Sequence, residues 1–205
     1  MENRLESKEL EEVFKNVRSS YRLLFDYQKR VLDLVRYIGN RLEFGEALGV
    51  PAFSGASPRE GKKGVFDLWS WDWLNMYHYK FNFLPKKAKS KEVYLDVHII
   101  SDTGYYLNTS APKHDAQKTD LGTFADVQSS ETRLILYASE NEFLWKDIVD
   151  VDGFDPSKEE INVITKLGHK VVGRNYPLSE FINNEATNQL IDTFRQYCID
   201  HDVAI

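Results

Sequence analysis

The chain has 205 residues, 26 Lys and Arg against 32 Asp and Glu, a net charge of −6, and 42% hydrophobic residues. That length and composition suit one globular domain whose core needs neither disulfides nor a structural metal. The negative balance argues against whole-surface binding to nucleic acid or anionic membrane, and a single cysteine, Cys198, excludes an intramolecular disulfide or a thiolate metal cluster.

The opening stretch MENRLESKELEE is charged throughout, so no leader is expected. No segment approaches the ~18 apolar residues of a spanning helix. The expected location is cytoplasmic, away from membrane.

Residues 5–44 read as a helical segment. Leu10, Phe14, Val17, Tyr21, Leu24, Val31, Val35, Ile38 and Leu42 follow alternating spacings of three and four, interrupted only at Gln28. Ser19-Ser20 offers a break, since a serine can cap a second helix starting at Tyr21. Between 21 and 38 the flanks of this stripe are apolar too, at Leu23, Phe25, Tyr27, Leu32, Leu34 and Tyr37. A two-stranded coiled coil would carry charges there, so 21–38 reads as a helix buried on several sides, with dimerisation through it as the alternative. Phe14, Val17 and Tyr21 are the candidate interaction residues.

Gly45 and Gly49 close the helical region, and the turn-rich residues 51–64 read as a mobile loop. That loop is not a phosphate-binding P-loop. Five residues separate Gly55 from Gly61, and Lys63 stands where a hydroxyl belongs. Residues 66–74 fit either a short helix or a strand. Residues 76–84 are a clear strand, with Tyr77, Tyr79, Phe81 and Phe83 alternating with Met76, His78, Lys80 and Asn82. After a basic turn a second strand covers 92–101, a third lies near 105–109, and a fourth covers 131–139. The sheet is expected within 66–139. Residues 155–200 read as mainly helical. Asp155-Pro156 starts a helix that Gly168 stops, with Ile161, Ile164 and Leu167 on its buried face. Lys170–Val172 reads as a short strand, and a last helix runs near 185–200. The expected fold is α+β: one domain over 1–205, an antiparallel β-meander of about four to five strands packed against a long N-terminal helical segment and C-terminal helices.

The hairpin at 76–101 carries the sharpest chemical inference. Its apolar residues are odd-numbered on both strands, so the even-numbered polar residues share the other face. A turn centred near Ala88 places His78 opposite His98 and Lys80 opposite Asp96, while a slip of two residues leaves His78 opposite Asp96 or Ile100. Imidazole and carboxylate are the common ligands of zinc, manganese and iron, and histidine is the common acid–base group near neutral pH. His78, Asp96 and His98 are therefore the candidate metal or catalytic residues. Read plainly, the same residues are the wet face of a half-buried sheet.

The order of elements, with Asp67 or Asp72 preceding Asp96-Val97-His98, loosely resembles the restriction-endonuclease-like nuclease core over about the middle half of the chain. That resemblance would imply metal-dependent attack on phosphate. His98 stands where that family carries lysine, and the likeness assigns no membership.

Two basic loops, Lys62 and Lys63 in one and Lys86, Lys87, Lys89 and Lys91 in the other, lie near Trp69, Trp71, Trp73 and Tyr77. Together they outline a single-strand nucleic-acid surface, although lysine-rich turns also keep hairpin tips unpaired. The acidic run at Asp147, Asp150, Asp152 and Asp155 lacks the order of a calcium loop. No complete catalytic set is visible. The leading expectation is a protein-interaction module, acting as a homodimer or with a protein partner and needing no cofactor. The first alternative is a metal-dependent hydrolase or nuclease on the hairpin, using a divalent metal. The second is nucleic-acid binding through the loops.

Overall fold

The computed structural model describes residues 7–51, 77–88, 91–107 and 121–205. The chain divides into two compact units, residues 1–38 and 39–205.

The first described element, α1 (Ser7–Arg41), is one continuous helix. The break expected at Ser19-Ser20 is absent. The Ser20 hydroxyl donates to the Asn16 carbonyl at 2.9 Å, so it is satisfied inside the helix and caps nothing. Val31, Val35 and Ile38 are buried, whereas Leu10, Val13, Phe14, Val17, Tyr21, Leu23, Leu24 and Phe25 are 40–71% exposed. The expectation that 21–38 is covered on several sides therefore fails at its N-terminal end.

Within residues 39–205, the strands β1 (Ala47–Pro51), β2 (His78–Phe83), β3 (Lys86–Ala88), β4 (Lys91–Ile100), β5 (Arg133–Ser139), β6 (Glu160–Ile164) and β7 (Lys170–Pro177) form one seven-stranded sheet. Its order is β1-β2-β4-β5-β7-β6, with β3 also pairing β4, and every pairing is antiparallel. The α+β class is as expected, with more strands. Strand β1 falls where the sequence read only the end of a helix. Residues 52–76, including the loop at 52–64 and the stretch 66–74, lie outside the described residues.

Two further expectations change. Where a third strand is expected near 105–109, residues 104–107 form a short helix, α2 (Gly104–Leu107), and 108–109 lie outside the described residues. The Asp102 carboxylate accepts from the Gly104 N–H at 2.7 Å, and the Thr103 carbonyl accepts from Tyr106 and Leu107, which turns the chain into helix. The helix expected between Asp155 and Gly168 is the start of the hairpin β6–β7. Ile161 and Val163 are buried while Glu160, Asn162 and Ile164 are exposed, a period of two rather than 3.6. Gly168, at φ 80°, serves the hairpin turn and ends no helix. The acidic run lies largely on a helix, α3 (Trp145–Asp152), whose first turn is held by the Asp147 carboxylate accepting from the Leu144 N–H at 2.9 Å. The last helix, α4 (Asn184–Asp200), is as expected, capped by the Asn183 side chain.

Both faces of the sheet are covered. One buries Phe81, Leu95, Val97, Leu134, Leu136 and Val172, and α4 adds Ile191, Phe194 and Cys198 to the core. The Tyr176 hydroxyl, on this face, ties α4 to β7 through the Leu190 carbonyl at 3.3 Å. On the other face a cluster of Ile100, Ile135, Tyr137, Ile148, Ile161 and Val171 is packed by Tyr106, Trp145 and Phe154. Gly173 lies opposite Tyr137 in the ladder, and any Cβ there would meet the Tyr137 ring at 2.9 Å, so the glycine makes room for that ring.

Candidate functional site

The even-numbered residues of the hairpin do share a face, in a register two residues from the one centred on Ala88. His78 pairs with Ile100, Lys80 with His98, and Asn82 with Asp96. Two features set it: Ala88 pairs with Lys91, so the turn is centred beyond Ala88, and a bulge between β2 and β3 takes back one residue. Leu84 and Pro85 stand where β4 has only Tyr94, a one-residue bulge that moves the register between Phe83 and Lys86. Proline suits that position because it has no N–H to offer the ladder.

This face is not wet. His78, Asp96 and His98 are all buried. Trp145 stands edge-on to His78 at 4.8 Å, Phe154 stacks on it at 6.1 Å, and Tyr137 stands against His98 at 4.9 Å. The polar atoms form a chain. The Tyr106 hydroxyl is 2.7 Å from His78 Nδ1, and His78 Nε2 is 3.0 Å from His98 Nδ1. At the far end Asn82 Nδ2 donates to Asp96 Oδ2 at 2.6 Å. The one gap is between His98 Nε2 and Asp96 Oδ2, at 3.9 Å, and that nitrogen has no hydrogen-bond partner among the described residues. Immediately before the chain, Tyr77 holds φ at 64°, a left-handed conformation that bulky side chains avoid.

Burial sets the charge states. It pushes both imidazoles well below the ordinary value, with His98 and then Lys80 adding to the effect at His78, and Lys80 adding to it at His98. Burial also raises the Asp96 carboxyl to about 6, against the opposing pull of the Asn82 hydrogen bond and the Lys80 charge. The Lys80 ammonium is lowered by burial, with Asp96 acting the other way. Neutral imidazoles are competent ligands and proton carriers. As placed, however, they turn their facing nitrogens on each other. Among the described residues no three His, Cys, Asp or Glu side chains are grouped to hold a metal ion.

A cleft of about 460 Å³ opens over this chain. Lys80, Asn82 and Asp96 line it from β2 and β4, Leu48 and Val50 from β1, Glu142 and Phe143 from the segment before α3, and Trp145 and Lys146 from its first turn. Lys80 Nζ lies 5.7 Å from the Trp145 ring centroid. Tyr106, Trp145 and Phe154 were not singled out in the sequence. Trp145 and Phe154 come from segments remote from the hairpin, Tyr106 from the short helix just after it, and nothing in their local pattern marks them.

The family model described as PM0109 matches residues 7–202. The chain belongs to the PM0109 family. No curated protein and no solved structure matches it.

The other candidate residues of this PM0109 chain are scattered. Phe14, Val17 and Tyr21 are exposed on α1. Lys62, Lys63 and Lys89 lie outside the described residues, as do Asp67, Asp72, Trp69, Trp71 and Trp73. Lys86 donates to the Leu42 carbonyl at 2.6 Å and sits 4.7 Å over the Phe44 ring, Lys91 pairs with Glu140, and Lys87 is exposed. Two of the three described lysines thus have structural partners. Among the described residues no helix is long and apolar enough to cross a membrane.

Proposed function

We propose that the PM0109 chain is an interaction module that docks another polypeptide, first of all a second copy of itself, along the N-terminal half of α1. The observation that supports this reading is the run of large apolar side chains left exposed between Leu10 and Phe25. Isolated exposed apolar residues are ordinary, but contiguous ones at helical spacing mark surfaces that are covered in use. Leu10, Phe14, Val17, Tyr21 and Leu24 continue the same stripe as Val31, Val35 and Ile38, which are buried. Around the first part of the stripe the flanks are charged. Glu11 pairs with Arg18 at 2.9 Å and Glu12 with Lys15 at 3.3 Å, as expected of a helix that stays in water until a partner covers one side.

Sedimentation of the full chain across a concentration series tests the reading. The parent is expected to associate, and Phe14→Lys with Val17→Lys is expected to give a monomer whose melting temperature matches the dissociated parent. A parent that stays monomeric at the highest concentration reached, and whose α1 amides exchange alike with and without the two lysines, would remove the support.

A further inference from the structure

The exposed stripe of α1 leaves the cleft over β2 and β4 without a role. Its size falls within the roughly 300–1,000 Å³ range of small-ligand sites, and its apolar walls and few converging polar groups are the usual composition of one. The polar groups are unusual in what they lack. Lys80 is half-buried, yet among the described residues it has no hydrogen-bond or ion-pair partner. The Asp96 carboxylate attracts it without reaching ion-pair distance. The two occupy diagonal positions on neighbouring strands, since Lys80 pairs with His98 and Asp96 lies two residues further along. Such positions stand roughly 7–8 Å apart, room for a small charged group between them. At the other wall Glu142 and Lys146 repeat the combination of one anion and one cation. The lining thus carries two positive and two negative side chains beside an aromatic and aliphatic wall.

A net anion would meet Asp96 and Glu142, and a net cation would meet Lys80 and Lys146. A molecule carrying both charges a few bonds apart, on an apolar body, satisfies the whole set. We propose that this cleft binds a free α-amino acid with an aromatic or large aliphatic side chain. Its carboxylate pairs with Lys80, its ammonium with Asp96, and its side chain lies against Trp145 and Phe143. Asn82 holds Asp96 in place from the opposite strand, and the buried histidines keep the floor beneath it dry. This inference is independent of docking along α1, which involves none of these residues.

Calorimetric titration of the full chain at about pH 7.5, above the Asp96 value of about 6, tests it with L-phenylalanine and two truncated analogues. The first is 3-phenylpropionate, which lacks the amine, and the second is phenethylamine, which lacks the carboxylate. Phenylalanine is expected to bind about tenfold or more tighter than either, because each analogue leaves one charge of the cleft unmatched. Lys80→Met is expected to abolish the preference over phenethylamine and to keep the preference over 3-phenylpropionate. Asp96→Asn is expected to do the reverse. If Asp96→Asn does not fold, Lys80→Met still decides the carboxylate half, checked by an unchanged circular dichroism spectrum. Absence of phenylalanine binding at millimolar concentration, or an analogue that binds as well as the amino acid, overturns the proposal. So does a pair of folded variants that discriminate as the parent does.

Discussion

The two faces of the sheet solve the same problem with different materials. Under α4 the contact is almost wholly aliphatic and aromatic, and its hydrogen bonds run along the ladder and to helix carbonyls. Under α3 the cover is as complete, but it closes over two imidazoles, a carboxyl and a tyrosine hydroxyl. An apolar core of this size would stabilise the fold without them, and each buried polar group has to recover in hydrogen bonds what it loses in water. One face is what stability alone would build. The other departs from what stability asks, and such departures gather at sites that do something.

The first way to test that contrast is on the apolar side. Phe194→Ala, at a fully buried ring on α4, is expected to cost about 3–5 kcal/mol in chemical denaturation, the largest single effect in the molecule. On the polar side the outcome depends on pairing. His98→Leu alone removes the 3.0 Å partner of His78 Nε2 and is expected to cost about 1–3 kcal/mol. His78→Phe combined with His98→Leu removes both ends of that bond and is expected to cost less than the two singles added together. Strict additivity in that double-mutant cycle would mean that the imidazoles do not support each other, and the contrast between the faces would lose its basis.

Acid sharpens the comparison further. Both histidines stay neutral in the fold and protonate in the unfolded chain near their ordinary value of 6.5, so stability is lost as pH falls below that point. The slope is about 1.4 kcal/mol per pH unit for each imidazole. Asp96 works in the opposite sense. Its folded value, about 6, exceeds its ordinary 3.8, so protonation favours the folded state as pH falls through 6. Melting curves between these limits are expected to show the parent declining with acid, and Asp96→Asn declining more steeply. A parent as stable in mild acid as at neutrality would contradict the buried, neutral pair. The smallest effect belongs to neither face: Asn183→Ala, which removes the α4 cap, is expected to cost about 1 kcal/mol.

How much of this was legible in the sequence differs from element to element. The odd–even split of 76–101 correctly separated Phe81, Leu95 and Val97 from His78, Asp96 and His98, because side chains alternate along any strand. The register was not legible, because it is set by a turn centred beyond Ala88 together with the bulge at Leu84-Pro85. The burial of the polar face was not legible either, since its cover comes from Trp145 and Phe154, remote along the chain, and from Tyr106, in a stretch that reads as strand and folds as helix. The hairpin at 160–177 was misread because an Asp-Pro start and a glycine stop serve a hairpin as well as a helix. The alternation of Ile161 and Val163 was the better guide.

The bond between the two imidazoles has one more consequence. A neutral ring carries one N–H, and the His78–His98 link can hold one hydrogen. If it belongs to His78 Nε2, then His78 Nδ1 accepts from Tyr106 and His98 carries its N–H at Nε2, turned toward Asp96 across the 3.9 Å gap. If it belongs to His98 Nδ1, then Tyr106 receives the proton of His78, and a bare lone pair faces Asp96, which suits only a protonated carboxyl. Neither ring can change tautomer alone. The chain from Tyr106 through His78 to His98 has one polarity at a time, and it reverses as a whole or not at all.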